Sequence, residues 1–308
     1  MKIIYGIKEL EISSVSSSLT IGNFDGVHKG HKDLIDKVKI HAHDNNYLST
    51  IITFEPLPEE YFDIPKFRKI MRLEDKLKIF KAYDVDQVLC INFNKDFSEM
   101  TADDFIEDIL INKLDTKYLI IGSDFRFGHK RLGTFDLLKS YEEKRNIKVE
   151  NINLMKDDNQ KISSTRIRNA LLDGNIELAN KLIGRTYMIS GKVTKGEQRG
   201  RLLGYPTANI DIYNSYPING IFLVKIMLNN GDNHFGLASL GNKPTFSGQL
   251  NVLEVYIFDF NKDIYGTNIE ISFLQKIRDQ VKFQNQEELV KQMDNDYAVA
   301  LKLLESFK

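Results

Sequence analysis

The chain has 308 residues, which is long for one domain, and 42% of them are apolar, enough for two packed cores. Its 42 Lys and Arg nearly balance 43 Asp and Glu, and the formal charge of −1 argues against nucleic acid as a partner. The single cysteine excludes an internal disulfide, and no signal peptide or membrane-spanning run is found. We therefore expect a cytoplasmic protein that has no membrane partner.

The N-terminal half of the chain alternates short apolar runs with amphipathic ones. We predict strands at residues 18–22, 48–54, 87–93, 118–122 and 147–153, and helices at 30–44, 72–83, 102–113 and 134–145. Such alternation is typical of βαβ units, which build a parallel sheet covered on both faces. Because ligands bind at the carboxyl ends of parallel strands, residues 22–31, 54–56 and 122–124 should share one crevice.

Residues 22–31 lie between the first of these strands and the following helix, and they read GNFDGVHKGH. Their glycines let the backbone approach a ligand closely, and the start of a helix directs N–H groups at an anion. His28 and His31 would lie near that helix start, where an imidazole can donate a hydrogen bond to phosphate. Histidine pairs also bind zinc, but no third histidine lies nearby at a ligand spacing and the chain has one cysteine. We therefore favour nucleotide binding over a metal site or a structural role.

Residues 122–128 follow directly on a predicted strand and read GSDFRFG. Asp124 and Arg126 offer a carboxylate and a guanidinium. Phe125 and Phe127 offer flat apolar faces. A ligand that carries both an aromatic ring and a phosphate would use all of these groups. The alternative is that the two phenylalanines only anchor the loop to the core.

Residues 163–168 read SSTRIR and lie at the start of another predicted helix. The hydroxyl residues at 163–165 can cap this helix, whereas Arg166 and Arg168 in its first turn oppose the helix dipole. Arginines at this position are favourable when an anion binds between them, the hydroxyls and the backbone N–H groups. An ordinary cap with solvated arginines is the alternative.

From about residue 186 the pattern becomes that of antiparallel strands. An Asn-Asn-Gly-Asp sequence at 229–232 predicts a hairpin turn, and closely spaced Asn, Gly and Pro elsewhere predict a closed barrel. The runs with strand character cover residues 186–194, 220–228, 234–240, 251–260 and 268–277. A final helix is predicted at about 286–305, with a buried face made of Leu289, Val290, Met293, Tyr297, Ala300, Leu301 and Leu304.

Residues 191–209, in this second half, contain four glycines and four basic residues. Glycine-spaced N–H groups with nearby cations can wrap a polyphosphate, although the spacing is not that of a Walker A loop. Thr207 and Asn209 are two residues apart, so they face the same way in an extended segment. Their side-chain oxygens suit Mg²⁺, which takes its other ligands from phosphate and water. Alternatively, the glycines serve barrel turns and the strand simply has a polar face.

Two charged residues stand out near the end of the predicted barrel. Glu254 lies within an apolar strand, where partial burial would raise its pKa toward that of a general base. The alternative is that Glu254 lies on the solvated face of an edge strand and has no catalytic role. Arg278 precedes Asp279 at the start of a loop, and it either contacts a ligand or forms a surface ion pair.

In their order along the chain, these stretches resemble the bacterial bifunctional riboflavin kinase/FMN adenylyltransferase (FAD synthetase) family. The resemblance extends from about residue 19 to the C-terminal helix. It implies a Rossmann-like α/β nucleotidyltransferase domain at 1–184, followed by a small antiparallel β-barrel kinase domain with a C-terminal helix at 185–308. It also implies that ATP phosphorylates riboflavin to FMN, and that a second ATP adenylylates FMN to FAD and pyrophosphate, with Mg²⁺ as cofactor.

The resemblance further implies a role for each candidate residue. In the adenylyltransferase, ATP would be bound by Gly22, Asn23, Phe24, His28, His31, Ser164, Thr165 and Arg168. The flavin would be bound there by Asp124, Phe125, Arg126 and Phe127. In the kinase, ATP would be bound by Gly191, Lys192, Gly196, Gly204, Thr207 and Asn209. Glu254 would act as base and Arg278 would contact the flavin. His28 and His31 would act catalytically on the phosphates, and Thr207 and Asn209 would hold Mg²⁺.

The chain departs from the family pattern at some positions. Many relatives carry histidine where this chain has Leu57, which removes one possible phosphate donor, and many carry histidine at Tyr256. Two alternatives stay open: a chain with only one live activity, and a non-catalytic flavin-binding regulator on the same scaffold. We expect small molecules as partners, and either a monomer or a weak homo-oligomer.

Overall fold

A computed structural model describes residues 1–152, 155–196, 200, 203–212, 216–245 and 248–305. The chain divides into two compact units. The first unit comprises Met1–Phe67 and Arg72–Ser163, and the second comprises Arg68–Met71 and Ser164–Lys308. The boundary between an adenylyltransferase and a kinase domain at residues 184 and 185 stays a prediction.

A six-stranded parallel sheet forms the centre of the first unit, as the alternating pattern predicts. Its strands are β1 (Lys2–Tyr5), β2 (Ser17–Ile21), β3 (Leu48–Phe54), β4 (Gln87–Ile91), β5 (Thr116–Gly122) and β6 (Lys148–Ile152), in the order β1-β4-β3-β2-β5-β6. Every residue of β2 and β4 is buried, because helices cover both faces of a parallel sheet. The edge strand β1 was not predicted, since only one of its residues is buried and it has no apolar period.

Helices cover this sheet. They are α1 (Lys29–Asn45), α2 (Pro58–Tyr61), α3 (Leu73–Ala82), α4 (Lys95–Glu99), α5 (Ala102–Asp104), α6 (Phe135–Ser140) and α7 (Glu142–Arg145). The helix predicted at 102–113 has the expected extent, but beyond α5 it continues as a π-helix at Phe105–Lys113. A short hairpin of β7 (Lys156–Asp157) and β8 (Gln160–Lys161) precedes the end of the unit.

The second unit contains the predicted barrel. It starts with helices α8 (Ser164–Leu172) and α9 (Ile176–Ile183). The barrel strands are β9 (Met188–Thr194), β10 (Thr207–Asp211), β11 (Gly220–Leu228), β12 (Asn233–Thr245), β13 (Gly248–Ile257) and β14 (Asn268–Arg278), closed in the order β10-β13-β12-β11-β14-β9. The predicted turn at 229–232 joins β11 to β12 as an antiparallel hairpin.

The last helix, α10 (Gln286–Leu304), packs on the outside of the barrel through Ala300 and Leu304. The prediction that Leu301 is buried is wrong, because 43% of this residue is exposed. Ala300 and Leu304 are buried as predicted, and Asp296 is buried with them, so the contact face recurs every four residues. The other predicted residues are half-buried, namely Leu289, Val290, Met293 and Tyr297. A buried aspartate was not expected, and its partner is described below.

Within the described part of the chain, no helix combines the length and the apolar character that crossing a bilayer requires. Cys90 lies buried in β4 and is not part of a disulfide, and its apolar neighbours in the sequence predict that burial.

Candidate functional site

Residues 22–31, called here the histidine turn, connect β2 to α1 in a strained backbone conformation. Phe24 and Val27 have φ values of 49° and 37°, in the left-handed region that favours glycine, and Gly26 has a φ of 84°. Both non-glycine side chains are buried, at 1% and 0% exposure, so their packing holds the backbone in this shape. Strain of this kind persists only where surrounding contacts enforce it, and it is concentrated at functional sites.

His28 and His31 form a reciprocal cap at the start of α1. The Nδ1 atom of each ring accepts the backbone N–H of the other residue at 3.3 Å, and the rings stack with centroids 3.6 Å apart. A ring nitrogen that accepts a hydrogen bond carries no proton, so the neutral imidazoles carry theirs on Nε2. Both rings are therefore set up as Nε2–H donors at the positive end of a helix dipole.

A buried lysine, Lys76 of α3, donates a hydrogen bond to the backbone of the histidine turn. Its Nζ donates to the Asn23 carbonyl oxygen at 2.7 Å and to Thr53 Oγ1 at 3.2 Å, and the residue is 0% exposed. The Asn23 side chain donates to the Glu59 carboxylate at 2.9 Å. Lys76 lies on the apolar side of α3, beside Leu77 and Phe80. A lysine among the apolar residues of a predicted helix is the feature of the sequence by which Lys76 could have been identified as a buried residue.

Asp124 and Arg126, in the loop 122–128, are exposed. Asp124 forms an ion pair with Lys161 of β8, and the bond to this ammonium group holds the pKa of the Asp124 carboxyl below its usual range. Arg126 Nη1 donates to the Phe125 carbonyl oxygen at 2.8 Å. Both charges stay accessible to solvent, as a phosphate-bearing ligand would require.

The two phenylalanines of this loop stack on each other, with centroids 5.6 Å apart, but differ in burial. Phe127 is 9% exposed and packs in the core against Phe105 at 5.7 Å, whereas Phe125 is half-buried. Phe127 therefore anchors the loop to the core, which is the alternative that the sequence left open for both phenylalanines. Phe125 keeps a face that a flat ligand could cover.

Further rings continue this aromatic surface at the carboxyl ends of β3 and β4. Phe54 and Phe97 pack at 5.8 Å, and Phe93 contacts Tyr61 at 5.4 Å and Phe62 at 5.8 Å. Tyr61 and Phe62 are 37% and 57% exposed. Sequence reasoning missed these residues, because the rings lie on separate elements that only the sheet brings together.

Ser164, Thr165 and Arg168 lie in the first two turns of α8, in the second unit. Ser164 and Arg168 are half-buried and Thr165 is exposed. Arg168 Nε donates to the Arg68 carbonyl oxygen at 2.8 Å, which orients its guanidinium. The predicted anion-binding residues thus share one helix start.

Thr207, Asn209 and Glu254, called here the barrel site, meet on the barrel. Asn209 of β10 is paired directly with Glu254 of β13, and Thr207 is paired with Tyr256. Directly paired residues project from the same face of a sheet, so the three polar side chains share one face. Ile210, which follows Asn209, is 3% exposed and Val255, which follows Glu254, is 0% exposed, whereas the barrel-site residues are half-buried.

Glycines bring the backbone close to the barrel site. A Cβ at Gly196 would overlap the Asn209 carboxamide, and one at Gly200 would overlap the Tyr205 carbonyl oxygen. Gly204 has a φ of 83°, which its turn requires. A Cβ at Gly191 would lie 2.5 Å from Ile210 Cγ2, so glycine here also lets β9 pack closely against β10. Lys192, its neighbour, is exposed.

A cavity of about 360 Å³ adjoins the barrel site. This volume lies in the range of small-molecule pockets. It is lined by Pro206, Thr207 and Ala208 from β10 and the residues before it, and by Phe260, Asp263 and Tyr265 from the loop after β13, among others. Lys195 Nζ lies 5.9 Å from the centre of the Tyr265 ring. The cavity therefore combines apolar walls with a hydroxyl and charges, as nucleotide binding requires.

Arg278, at the end of β14, is held by the buried Asp296 of α10. Its Nε lies 2.9 and 3.0 Å from the two carboxylate oxygens, and its Nη2 donates to one of them at 2.7 Å. Of the two alternatives that the sequence left open for Arg278, the ion pair is present, but its partner is the buried Asp296 rather than a surface residue. The neighbouring Asp279 carboxylate pairs with Lys276 at 2.6 Å. Sequence reasoning missed Asp296, since 18 residues separate it from its partner.

Comparison with known proteins identifies two family matches along the chain. Residues 11–166 match the family model for FAD synthetase, and residues 183–304 match that for riboflavin kinase. The bifunctional riboflavin kinase/FMN adenylyltransferase of Buchnera aphidicola subsp. Schizaphis graminum is 41% identical, covering 98% of each chain. The enzyme of that name from Haemophilus influenzae is 39% identical over 97% of this chain and 98% of its own. The chain belongs to this bifunctional family.

A solved structure extends the likeness to the fold. A Streptococcus pneumoniae protein, described as a macrolide-efflux protein, superposes with a TM-score of 0.83 at 32% identity, covering 97% of this chain and 99% of that one. The fold class of the bifunctional family, an α/β unit followed by a β-barrel with a C-terminal helix, is thus confirmed.

Almost every candidate residue falls within one of the two family matches. The histidine turn and the loop 122–128 lie within the FAD synthetase match, as do Ser164 and Thr165. The barrel site and Arg278 lie within the riboflavin kinase match. Arg168 lies just beyond the first match and before the second.

Proposed function

We propose that the chain makes FAD from riboflavin in two steps, each using one ATP, with the kinase chemistry at the barrel site and the adenylyl transfer at the histidine turn. The observation that carries this proposal is that each family match contains its own group of converging polar residues. Asn209 and Glu254 are paired in the riboflavin kinase match, and His28 and His31 cap each other in the FAD synthetase match.

In the kinase step, Glu254 accepts the proton of the terminal ribityl hydroxyl as its oxygen attacks the γ-phosphorus of ATP. The new O–P bond forms as the bond to ADP breaks, and positioning of the two substrates supplies most of the acceleration. Thr207 and Asn209 hold the phosphates, with Gly191, Lys192, Gly196 and Gly204 nearby. The adjoining cavity accepts the rest of the nucleotide.

The donor set of the barrel site fits Mg²⁺. A hydroxyl, a carboxamide oxygen and a neighbouring carboxylate are hard oxygen ligands of the kind that Mg²⁺ prefers. Thr207 and Asn209 would hold the ion, and when bound it would neutralise charge on the phosphate oxygens.

In the adenylyl transfer, the FMN phosphate is itself the nucleophile, so no protein nucleophile is needed. It attacks the α-phosphorus of ATP, and pyrophosphate leaves. The Nε2–H groups of His28 and His31 donate to phosphate oxygens as negative charge grows on the leaving group. Gly22, Asn23 and the buried Phe24 shape the turn that presents them.

The remaining assignments rest on the motifs of the family. Asp124, Phe125, Arg126 and Phe127 would bind the flavin of FMN, and Phe125 has the accessible ring. Ser164, Thr165 and Arg168 would contribute hydroxyls and a guanidinium to ATP. A cytoplasmic location fits the need for ATP and the buried thiol of Cys90, and a monomer or weak homo-oligomer acting on small molecules fits both reactions.

The deciding experiment is a time course with riboflavin, ATP and Mg²⁺, in which flavins are separated at each time. We expect FMN to appear first and FAD to follow, and we expect FAD from supplied FMN without riboflavin. Bound flavin without either product would instead identify a regulator. FMN that never proceeds to FAD would identify a chain with one activity.

A further inference from the structure

The C-terminal helix α10 contacts the kinase unit through two aspartates as well as through its apolar face. Asp296 is 3% exposed and accepts hydrogen bonds from Arg278 and, at 2.8 Å, from Gln292. A buried ion pair adds little net stability, because desolvation offsets the attraction. Its definite effect is on geometry, since the carboxylate allows the guanidinium one orientation. The Phe283 ring lies 5.9 Å from that guanidinium.

The second aspartate, Asp294, accepts a hydrogen bond from the hydroxyl of Tyr205. Tyr205 directly precedes Pro206 and Thr207, which line the cavity beside the barrel site. Its ring also packs edge-on against Tyr256, with centroids 5.1 Å apart. Burial, with a further contribution from Asp294, raises the pKa of the Tyr205 hydroxyl, so the phenol stays protonated and donates.

Arg278 lies at one end of a row of paired residues on the barrel, and Glu254 lies at the other end, two residues before the Tyr256 ring that contacts Tyr205. Glu254 is paired with Ser239, Ser239 with Ile221, and Ile221 with Arg278. Three strand spacings of about 4.8 Å separate Glu254 from Arg278, which gives roughly 14 Å. Gln280 Nε2 donates to Ser239 Oγ at 3.0 Å within this row.

We propose that Asp294 and Asp296 are positioning residues of the riboflavin kinase site, with Asp294 setting the ATP end through Tyr205 and Asp296 setting the flavin end through Arg278. The inference rests on the proposed kinase function of the barrel site. Under this proposal α10 affects the binding of ATP and the binding of riboflavin separately. Apolar packing of the helix alone would not produce two separate effects.

The test is a steady-state kinase assay on full-length variants, varying ATP and riboflavin separately. For Asp296→Asn we expect the KM for riboflavin to rise about tenfold with little change in the KM for ATP, because the guanidinium loses a charged partner. For Asp294→Asn, which weakens the hydrogen bond from Tyr205, we expect the KM for ATP to rise about fivefold and the KM for riboflavin to stay unchanged. Asp296→Glu, which keeps the charge, should recover part of the riboflavin affinity.

A double-mutant cycle isolates the Tyr205 contact. Tyr205→Phe removes the hydroxyl and should reproduce the Asp294→Asn result, and the double variant should be no worse than either single one. Asn295→Ala is the matched control, since Asn295 lies between the two aspartates on α10 and is exposed. It should leave both KM values unchanged. FAD formation from supplied FMN should stay normal in every variant.

Equal changes in both KM values, or a lower Tm with normal kinetics, would overturn the proposal and leave α10 a purely structural role. Additive effects of Tyr205→Phe and Asp294→Asn would overturn it too, and this pair, in which Asp294 is exposed, decides the matter if Asp296→Asn does not fold. Failure of the proposed function is seen separately, as a normal kinase rate in Glu254→Gln.

Discussion

At the scale of single residues, hydrogen bonds decide what each candidate side chain can do. The reciprocal cap between His28 and His31 occupies both Nδ1 atoms and leaves Nε2–H as the donor of each ring. The sequence indicates two histidines one turn apart, but it does not indicate which nitrogen carries the proton. That detail comes from the backbone of the first turn of α1.

His31→Ala should abolish most FAD formation and leave FMN formation nearly intact. Loss of one preorganised donor to a developing charge costs about 10²–10³ in rate. The measurement is the rate of FAD formation from supplied FMN, beside the rate of riboflavin phosphorylation. His43→Ala is the matched control, because His43 lies on the same helix with a side chain that is 90% exposed. A parallel collapse of FMN formation would refute two separate sites.

Glu254→Gln should have the opposite selectivity. The amide keeps the shape of the carboxylate but cannot accept the hydroxyl proton, and loss of a general base typically lowers a rate by about 10²–10⁴. Riboflavin phosphorylation should fall by that factor, while FAD still forms from supplied FMN. Glu287→Gln, in the exposed first turn of α10, should change neither rate. An unchanged kinase rate would remove Glu254 from the role of base.

At the scale of elements, the active turns depend on neighbours far along the chain. The histidine turn belongs to β2 and α1, yet Lys76 of α3 fixes its Asn23 carbonyl. The barrel site belongs to β10 and β13, yet α10 holds Tyr205, which lies two residues before Thr207, and Arg278, which lies three strands away from Glu254. The geometry of each site therefore depends on the element that packs against it. A substitution in that element can disturb the site without changing any residue of the site itself.

Lys76→Met should impair FAD formation more than FMN formation. Methionine keeps the length and fills the buried space, but it leaves the Asn23 carbonyl and Thr53 hydroxyl without this donor. Such a loss costs about 1–3 kcal/mol of stability and relaxes the turn. The measurements are the two rates and the Tm. Lys81→Met, an exposed lysine of the same helix, is the control. Normal FAD formation in Lys76→Met would show that the turn holds its shape unaided.

At the scale of the whole molecule, two compact units carry two groups of polar residues within two family matches. The order of the motifs along the chain predicts this arrangement and the family. The division of Arg68–Met71 into the second unit is not predicted. It depends on bonds such as that from Tyr187 Oη to the Ile70 carbonyl oxygen at 3.2 Å, across 117 residues.

Mixing two full-length variants that each lack one of the two activities should restore the overall reaction. His31→Ala supplies FMN, and Glu254→Gln converts it to FAD, because FMN is a small molecule that diffuses between molecules. FAD should appear from riboflavin only in the mixture, after a lag during which FMN accumulates. The measurement is a flavin time course for each variant alone and for the pair. A mixture that makes FMN but no FAD would contradict this arrangement.

The sequence by itself determined the alternation of strands and helices, the barrel that follows and the motifs of both sites, since each depends on residue types at short, regular spacings. It even placed Thr207 and Asn209 on one face, because alternation in a strand is local. Only the tertiary structure decided that Phe127 is buried, that Leu301 is exposed, and that Lys76 and Asp296 are buried charges with partners. Those outcomes depend on contacts between distant parts of the chain, and burial and pairing of charge are properties of such contacts rather than of any one segment.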